Sequence, residues 1–151
     1  MIPSRESIYS ALFTLASGVA GFVTKDRVLR HWTDVGPEEM PALFQVQKSE
    51  TKVQQRGKPK VWELRGEFFV YVHTNSQQLG GVGAVPPSQI LNPLLDDVEN
   101  IFTIDDVSNQ VCTLGGLVSH AWIDGTIETG EGTLGDHEVA IVPWAILVPS
   151  Y

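Results

Sequence analysis

The side chains best suited to chemistry are few, and their spacing is poor for catalysis. His120, Asp124 and Glu128 have the same parity in an extended segment, so in a strand they share a face, as ligands of one metal ion should. A four-residue step in a strand covers roughly 13 Å, however, too far for two ligands of one ion. Asp136, His137 and Glu138 are closer in the chain, but consecutive strand residues point to opposite faces. The same alternation separates Ser119 from His120 as nucleophile and base, and there is no Gly-x-Ser-x-Gly elbow. Cys112 is the single cysteine, which excludes a disulfide framework and a cysteine-based zinc module. It lacks the local signature of a catalytic thiol and is expected as a small buried apolar residue. The glycine-rich run LGGVGAV (79–85) lacks the Lys-Ser/Thr pair that would meet phosphates and a metal, and reads as a linker before a helix. The acid pairs Asp96/Asp97 and Asp105/Asp106 read as solvated helix surface and loop. The expectation is a protein with no catalytic residue, no metal and no cofactor; a small metal-dependent hydrolase using His120, Asp124 or His137 is the rival of a different class.

Charge is the stronger signal. The 151 residues carry 10 Lys+Arg and 18 Asp+Glu, a formal charge of −8. All ten cations lie in residues 1–65 with seven acids, a balance of +3; residues 66–151 hold eleven acids and neither Lys nor Arg, a balance of −11. Such asymmetry marks surfaces that meet or avoid something charged. Duplex DNA binding needs clustered cations to neutralise phosphates, and only the short segment with Lys48, Lys52, Arg56, Lys58 and Lys60 gathers them, so a duplex-binding protein is not expected. No aromatic residue is interleaved from 45 to 61, so base stacking has no support either. A solvated hairpin tip is the plain reading of this segment; contact with an acidic protein surface is the competitor, and the chain supplies such a surface itself. In a head-to-tail ring, the +3 part of one subunit would meet the −11 part of the next.

The elements that must position these groups follow from periodicity. Length and a hydrophobic content of 42% suit a single domain spanning 1–151 with one core. The first helix is predicted to be capped by Ser4 and ended by Gly18 or Gly21 in the left-handed C-cap conformation, with Ile8, Leu12, Leu15 and Val19 as its apolar stripe. Ser7, Ser10, Thr14 and Ser17 form the opposite stripe, which argues against reading residues 8–20 as a signal-peptide core. No run approaches the roughly 18 apolar residues of a membrane span, so a soluble intracellular protein is expected. Arg27–Trp32 is predicted as a short strand, followed by a loop punctuated by Gly36-Pro37 and Met40-Pro41.

Ala42–Lys52 and Val61–His73 are predicted to form a long β-hairpin whose distal end passes the core. Its second strand turns Trp62, Leu64, Phe68, Val70 and Val72 to one face. Gln77–Pro87 reads as a mobile connection. Ile90–Phe102 is predicted as the second helix, with Pro93 in its first turn or Asn92 capping a helix that begins at Pro93. Leu117–Ile127 and Val139–Val148 read as strands around the reversal TGEGTLGDH; the last is apolar on both faces, which asks for a partner, and Pro143 places its N–H side at an edge or bulge. The expected fold class is α+β: a mostly antiparallel sheet with a long hairpin, packed by two helices.

This order of elements resembles the tail terminator proteins of long-tailed bacteriophages, the lambda gpU-like minor tail proteins. The likeness rests on Met40-Pro41-Ala42-Leu43-Phe44-Gln45-Val46 and on the strand from Trp62 to Val72. It also rests on Val118-x-His120-x-Trp122-Ile123-Asp124-Gly125 and Val139–Pro143, which look like prophage-encoded tail proteins. The long 77–87 connection and a basic hairpin loop depart from it. The resemblance implies a non-enzymatic virion protein: a homo-hexameric ring that caps the tail tube protein, terminates tail polymerisation and forms the head-tail joining surface for the connector protein. It implies location at the head-tail junction of the virion, and in the host cytoplasm during assembly. DNA would pass through the lumen without specific binding or membrane contact. An acidic lumen would repel it, with Asp96, Asp97, Glu99, Asp105, Asp106, Asp124, Glu128 and Glu131 as candidate contributors. Another head-tail connector, neck or head-completion protein is the alternative in the same class.

Overall fold

The computed structural model describes residues 2–74, 86–130 and 136–149. Glu131 and most of the 77–87 connection lie outside them. Within the described residues the chain forms α1 (Arg5–Ser17), β1 (Thr24–Asp26), β2 (Ala42–Val53), β3 (Val61–His73), α2 (Pro87–Glu99), β4 (His120–Ile123), β5 (Glu128–Thr129) and β6 (His137–Val148). The sheet runs β1-β2-β3-β6-β4, with β5 also paired to β6. Every pairing is antiparallel except β1 with β2, and both helices lie against one face: an α+β fold.

That face is built by the alternation of β3 and β6. Trp62, Leu64, Phe68, Val70 and Val72 meet Ala140, Val142, Trp144, Ile146 and Val148, and α1 and α2 close over them with Ile8, Leu12, Ile90, Leu91, Leu94 and Val98. Trp144 stands directly across from Gly66, and its indole occupies the space that a side chain at 66 would need. The aliphatic and aromatic surface removed from water here is the main favourable term of folding.

Ser4 caps α1 as expected, accepting from the Ser7 backbone N–H at 3.1 Å. Gly18 ends the helix, but in right-handed geometry (φ −78°); the left-handed residue is Gly21 (φ 96°). The buried stripe is Ile8, Tyr9, Leu12 and Ala16, and Leu15 is 43% exposed. At about 100° per residue, Leu15 sits a full step round the helix from Ala16, at the rim of the buried face.

Three other expectations are corrected. Residues 27–31 are not a strand. The strand lies just before them at Thr24–Asp26, paired in parallel with Ala42–Phe44, and Trp32–Asp34 is a 3-10 turn capped by the His31 ring, whose Nδ1 accepts from Thr33 N. The second helix starts at Pro87, so Pro93 lies in its second turn, neither in its first turn nor at its start. Both Pro93 and Gln89 are exposed, so water can serve the Gln89 carbonyl that Pro93 cannot. The strand read over 117–127 is confined to His120–Ile123, with β5 after a bend. Pro143 behaves as read: its carbonyl accepts from Asp124 N on the side where β6 passes from β5 to β4, so the absent N–H falls in the gap between those short strands.

Candidate assembly interface

The hairpin is held at its base and free at its end. Its register runs from Ala42–Tyr71 to Val53–Val61 with a bulge between Gln47 and Ser49. β6 supports β3 as far as the Trp62–Val148 pair, so the projecting part is residues 53–61. The tip turns at Gly57 (φ 78°), with Lys58 N donating to Gln55 O at 3.0 Å. Arg5 and Lys52 cover Trp62, with the guanidinium carbon 5.1 Å and the ammonium 4.5 Å from the ring centroid. Arg5 also makes two hydrogen bonds to Glu50, 2.6 and 2.8 Å, which holds that carboxyl below its usual range.

Of the five hairpin cations, Lys48 pairs with Glu67 at 3.2 Å and Lys52 rests on Trp62, both at the base. Arg56, Lys58 and Lys60 stand at the exposed tip, where no acid lies between 51 and 62. Val53 and Val61 are also exposed, adding apolar surface to a cationic tip.

Seven of the eight candidate acids lie in the described residues, in different local settings. Asp96, Asp97 and Glu99 lie exposed on α2, and Glu128 is exposed on β5 at the sheet's margin. Asp105 organises the loop after α2: its carboxylate accepts from Thr113 N, Thr113 Oγ1 and Gly115 N at 2.6–2.9 Å, and these donors, Gly115 first, lower its pKa. Asp106 accepts from Asn109 N and Nδ2 in the same loop. Asp124 is paired with Arg65 and accepts from Trp122 Nε1 at 3.1 Å, so it sits low for the same reason. Glu131 lies outside the described residues.

The groups weighed for catalysis have other partners. His120 stacks on Trp122 at 4.9 Å, its Nδ1 accepting from Cys112 N at 3.1 Å. Cys112 is buried, and burial raises its pKa. His137 meets His73 edge-on at 4.3 Å and Trp32 at 5.1 Å; burial, then His73, lowers its pKa. Glu138 is buried and has the parity of Ala140 and Val142 in β6, which places it on the helix-packed face of the sheet. Among the described residues no three His, Cys, Asp or Glu side chains converge as a metal site.

Two apolar grooves were not legible in the sequence. On the open sheet face, the 28–40 loop covers Phe44 and Tyr71 with Val35 and Met40, and beside it Leu29, Trp32, Phe69, Val139 and Ile141 line a groove of about 470 Å³. The chain's own loop thus covers part of the second apolar side of β6. On the helical side, a groove passes between the C-terminal half of α1 and the end of α2, lined by Thr14, Leu15, Val19, Asp97, Asn100 and Ile101. The only sequence signal for the second was Leu15 itself, at the rim of its stripe.

No family model matches the sequence. No curated protein matches it either. The fold is similar to solved structures that include a chain from the virion of a native gene transfer agent particle, with a TM-score of 0.55 over 95% of both chains at 9% identity.

Proposed function

We propose that the chain is a structural protein of a phage-like virion, acting by assembly and not by catalysis, and that its place is the end of the tail. In this reading it closes into a homo-hexameric ring on the tail tube protein, stops tube growth and offers its other side to the head-tail connector protein. The observation that carries the reading is the match in fold, over nearly the whole of both chains, to a gene transfer agent virion chain. The free cationic hairpin and the acidic remainder agree with it, because a heterologous contact needs two different complementary surfaces on each subunit. Acidic surface left uncovered by neighbours would face the DNA passage and repel phosphate. The role is tested by adding the purified protein to growing tail tubes: tubes should stop at fixed length with a ring of density at one end. Uncapped tubes of unaltered length would contradict it.

A further inference from the structure

The contact between ring subunits would need a place for the hairpin tip on the neighbouring copy. Arg5 ties the N-terminus of α1 to the hairpin base through Glu50 and Trp62. From there α1 runs along β2 away from the tip: Tyr9 O accepts from Gln45 Nε2 at 3.0 Å, and Ser17 O accepts from Lys25, whose strand partner is Leu43, so residues 14–19 lie about 15–20 Å further along at helical rise. The tip itself stands roughly 10–15 Å beyond the base at strand rise. Tip and helical groove therefore occupy opposite ends of the molecule.

Their chemistry matches. The groove between α1 and α2 measures about 360 Å³, has Leu15 and Ile101 on its walls and Asp97 at its rim. It continues past Thr103 and Leu114 to Asp105, whose donors hold it anionic; Asp96, next to Asp97 in α2, is exposed on the helix's outer side and adds negative charge near the rim. No Lys or Arg follows residue 65, so nothing in α2 or the following loop neutralises this rim. The tip presents the inverse pattern: Val53 and Val61 exposed beside Arg56, Lys58 and Lys60.

We infer that the α1–α2 groove is the docking site for the hairpin tip of a second copy of this chain, with Val53 and Val61 against Leu15 and Ile101 and the tip cations against Asp96, Asp97 and Asp105. This rests on the ring reading and deepens it: the contact is heterologous, so every subunit gives a hairpin and receives one. Opposite charge steers the approach and rejects misaligned encounters, while the apolar contact retains the docked tip.

A charge-swap pair tests it. One variant carries Arg56→Glu, Lys58→Glu and Lys60→Glu; the other carries Asp96→Lys and Asp97→Lys. Each alone sets like charges against each other at every contact, and assembly should require about tenfold or more higher concentration than wild type. Mixed one to one, each acidic hairpin meets a basic groove and each basic hairpin meets an acidic one, so assemblies should return. Recovery also shows that both variants fold. Wild-type rings with single variants that assemble equally well, or a mixture that fails to recover although both variants melt like wild type, overturn the docking site and leave the ring reading standing. A wild-type chain that never assembles, alone or on tail tubes, removes the ring reading and the docking site together.

Discussion

Gly66→Ala is the substitution whose sign is most diagnostic of the core. In an ordinary strand interior, Gly→Ala stabilises by about 0.5–1 kcal/mol, because alanine has less unfolded-chain entropy to lose. Here a methyl group at 66 would overlap the Trp144 indole on one side and the Val46 carbonyl on the other. The indole cannot simply swing away, since it is 1% exposed and packed near Tyr9 and Phe68, with centroids 6.2 and 6.1 Å distant. The carbonyl belongs to β2 just before its bulge, so relief there means moving the hairpin base. Overpacking of this kind costs about 1–3 kcal/mol, and two rigid neighbours place the substitution near 3 kcal/mol. For a chain of this length that is a fall in Tm of about 6–12 °C, measurable by calorimetry or by urea unfolding followed through tryptophan fluorescence. In a Trp144→Leu background the indole's share should vanish, reducing the cost of Gly66→Ala to about 1 kcal/mol. A Gly66→Ala protein as stable as wild type, or an equal penalty in both backgrounds, would refute the packing argument.

Other outcomes follow from surface groups. Leu15→Ser should change stability by no more than about 0.5 kcal/mol, since Leu15 is 43% exposed, yet weaken self-association in a concentration series by mass photometry. Glu6 is held down to about 2, first by the Arg27 guanidinium and then by the Ser10 hydroxyl. Its folded pKa is depressed, so its contribution is present above about pH 4.5 and lost as pH falls towards 2; Glu6→Gln should flatten the urea midpoint across that window. His137 is depressed from 6.5 by burial and by His73, so stability should fall as pH drops below 6.5, and His137→Phe should remove that part of the slope. Assembly should weaken between 0.05 and 0.5 M salt, by about tenfold or more, if charged tips and grooves meet across solvent-exposed rims.

What the sequence made legible tracks the kind of interaction involved. β3 was readable to its end residues because alternation over 61–73 reports directly which side chains enter the core. β6 was readable from its apolar run over 139–148 rather than from alternation, two residues short of its start at His137, and two apolar faces did not say that the 28–40 loop covers part of one. β1 was misplaced because three residues with a parallel partner, Thr24–Asp26 against Ala42–Phe44, leave no periodic trace. The start of α2 was missed because Pro93 looks like a helix boundary, and only its solvent-facing position explains why the helix passes through it. The candidate site divides along the same line. Cations at the tip were visible as a run in the sequence, whereas the groove depends on how α1 and α2 pack, a relation between distant segments with no local signature.

The most direct test of the account is the native mass of the wild-type chain at low ionic strength, measured with and without tail tubes. Six chains of 16.6 kDa give about 100 kDa, and the account expects a closed ring of that mass, alone or as a cap at one end of each tube. A chain that stays at 16.6 kDa at millimolar concentration and leaves tube ends bare would contradict it.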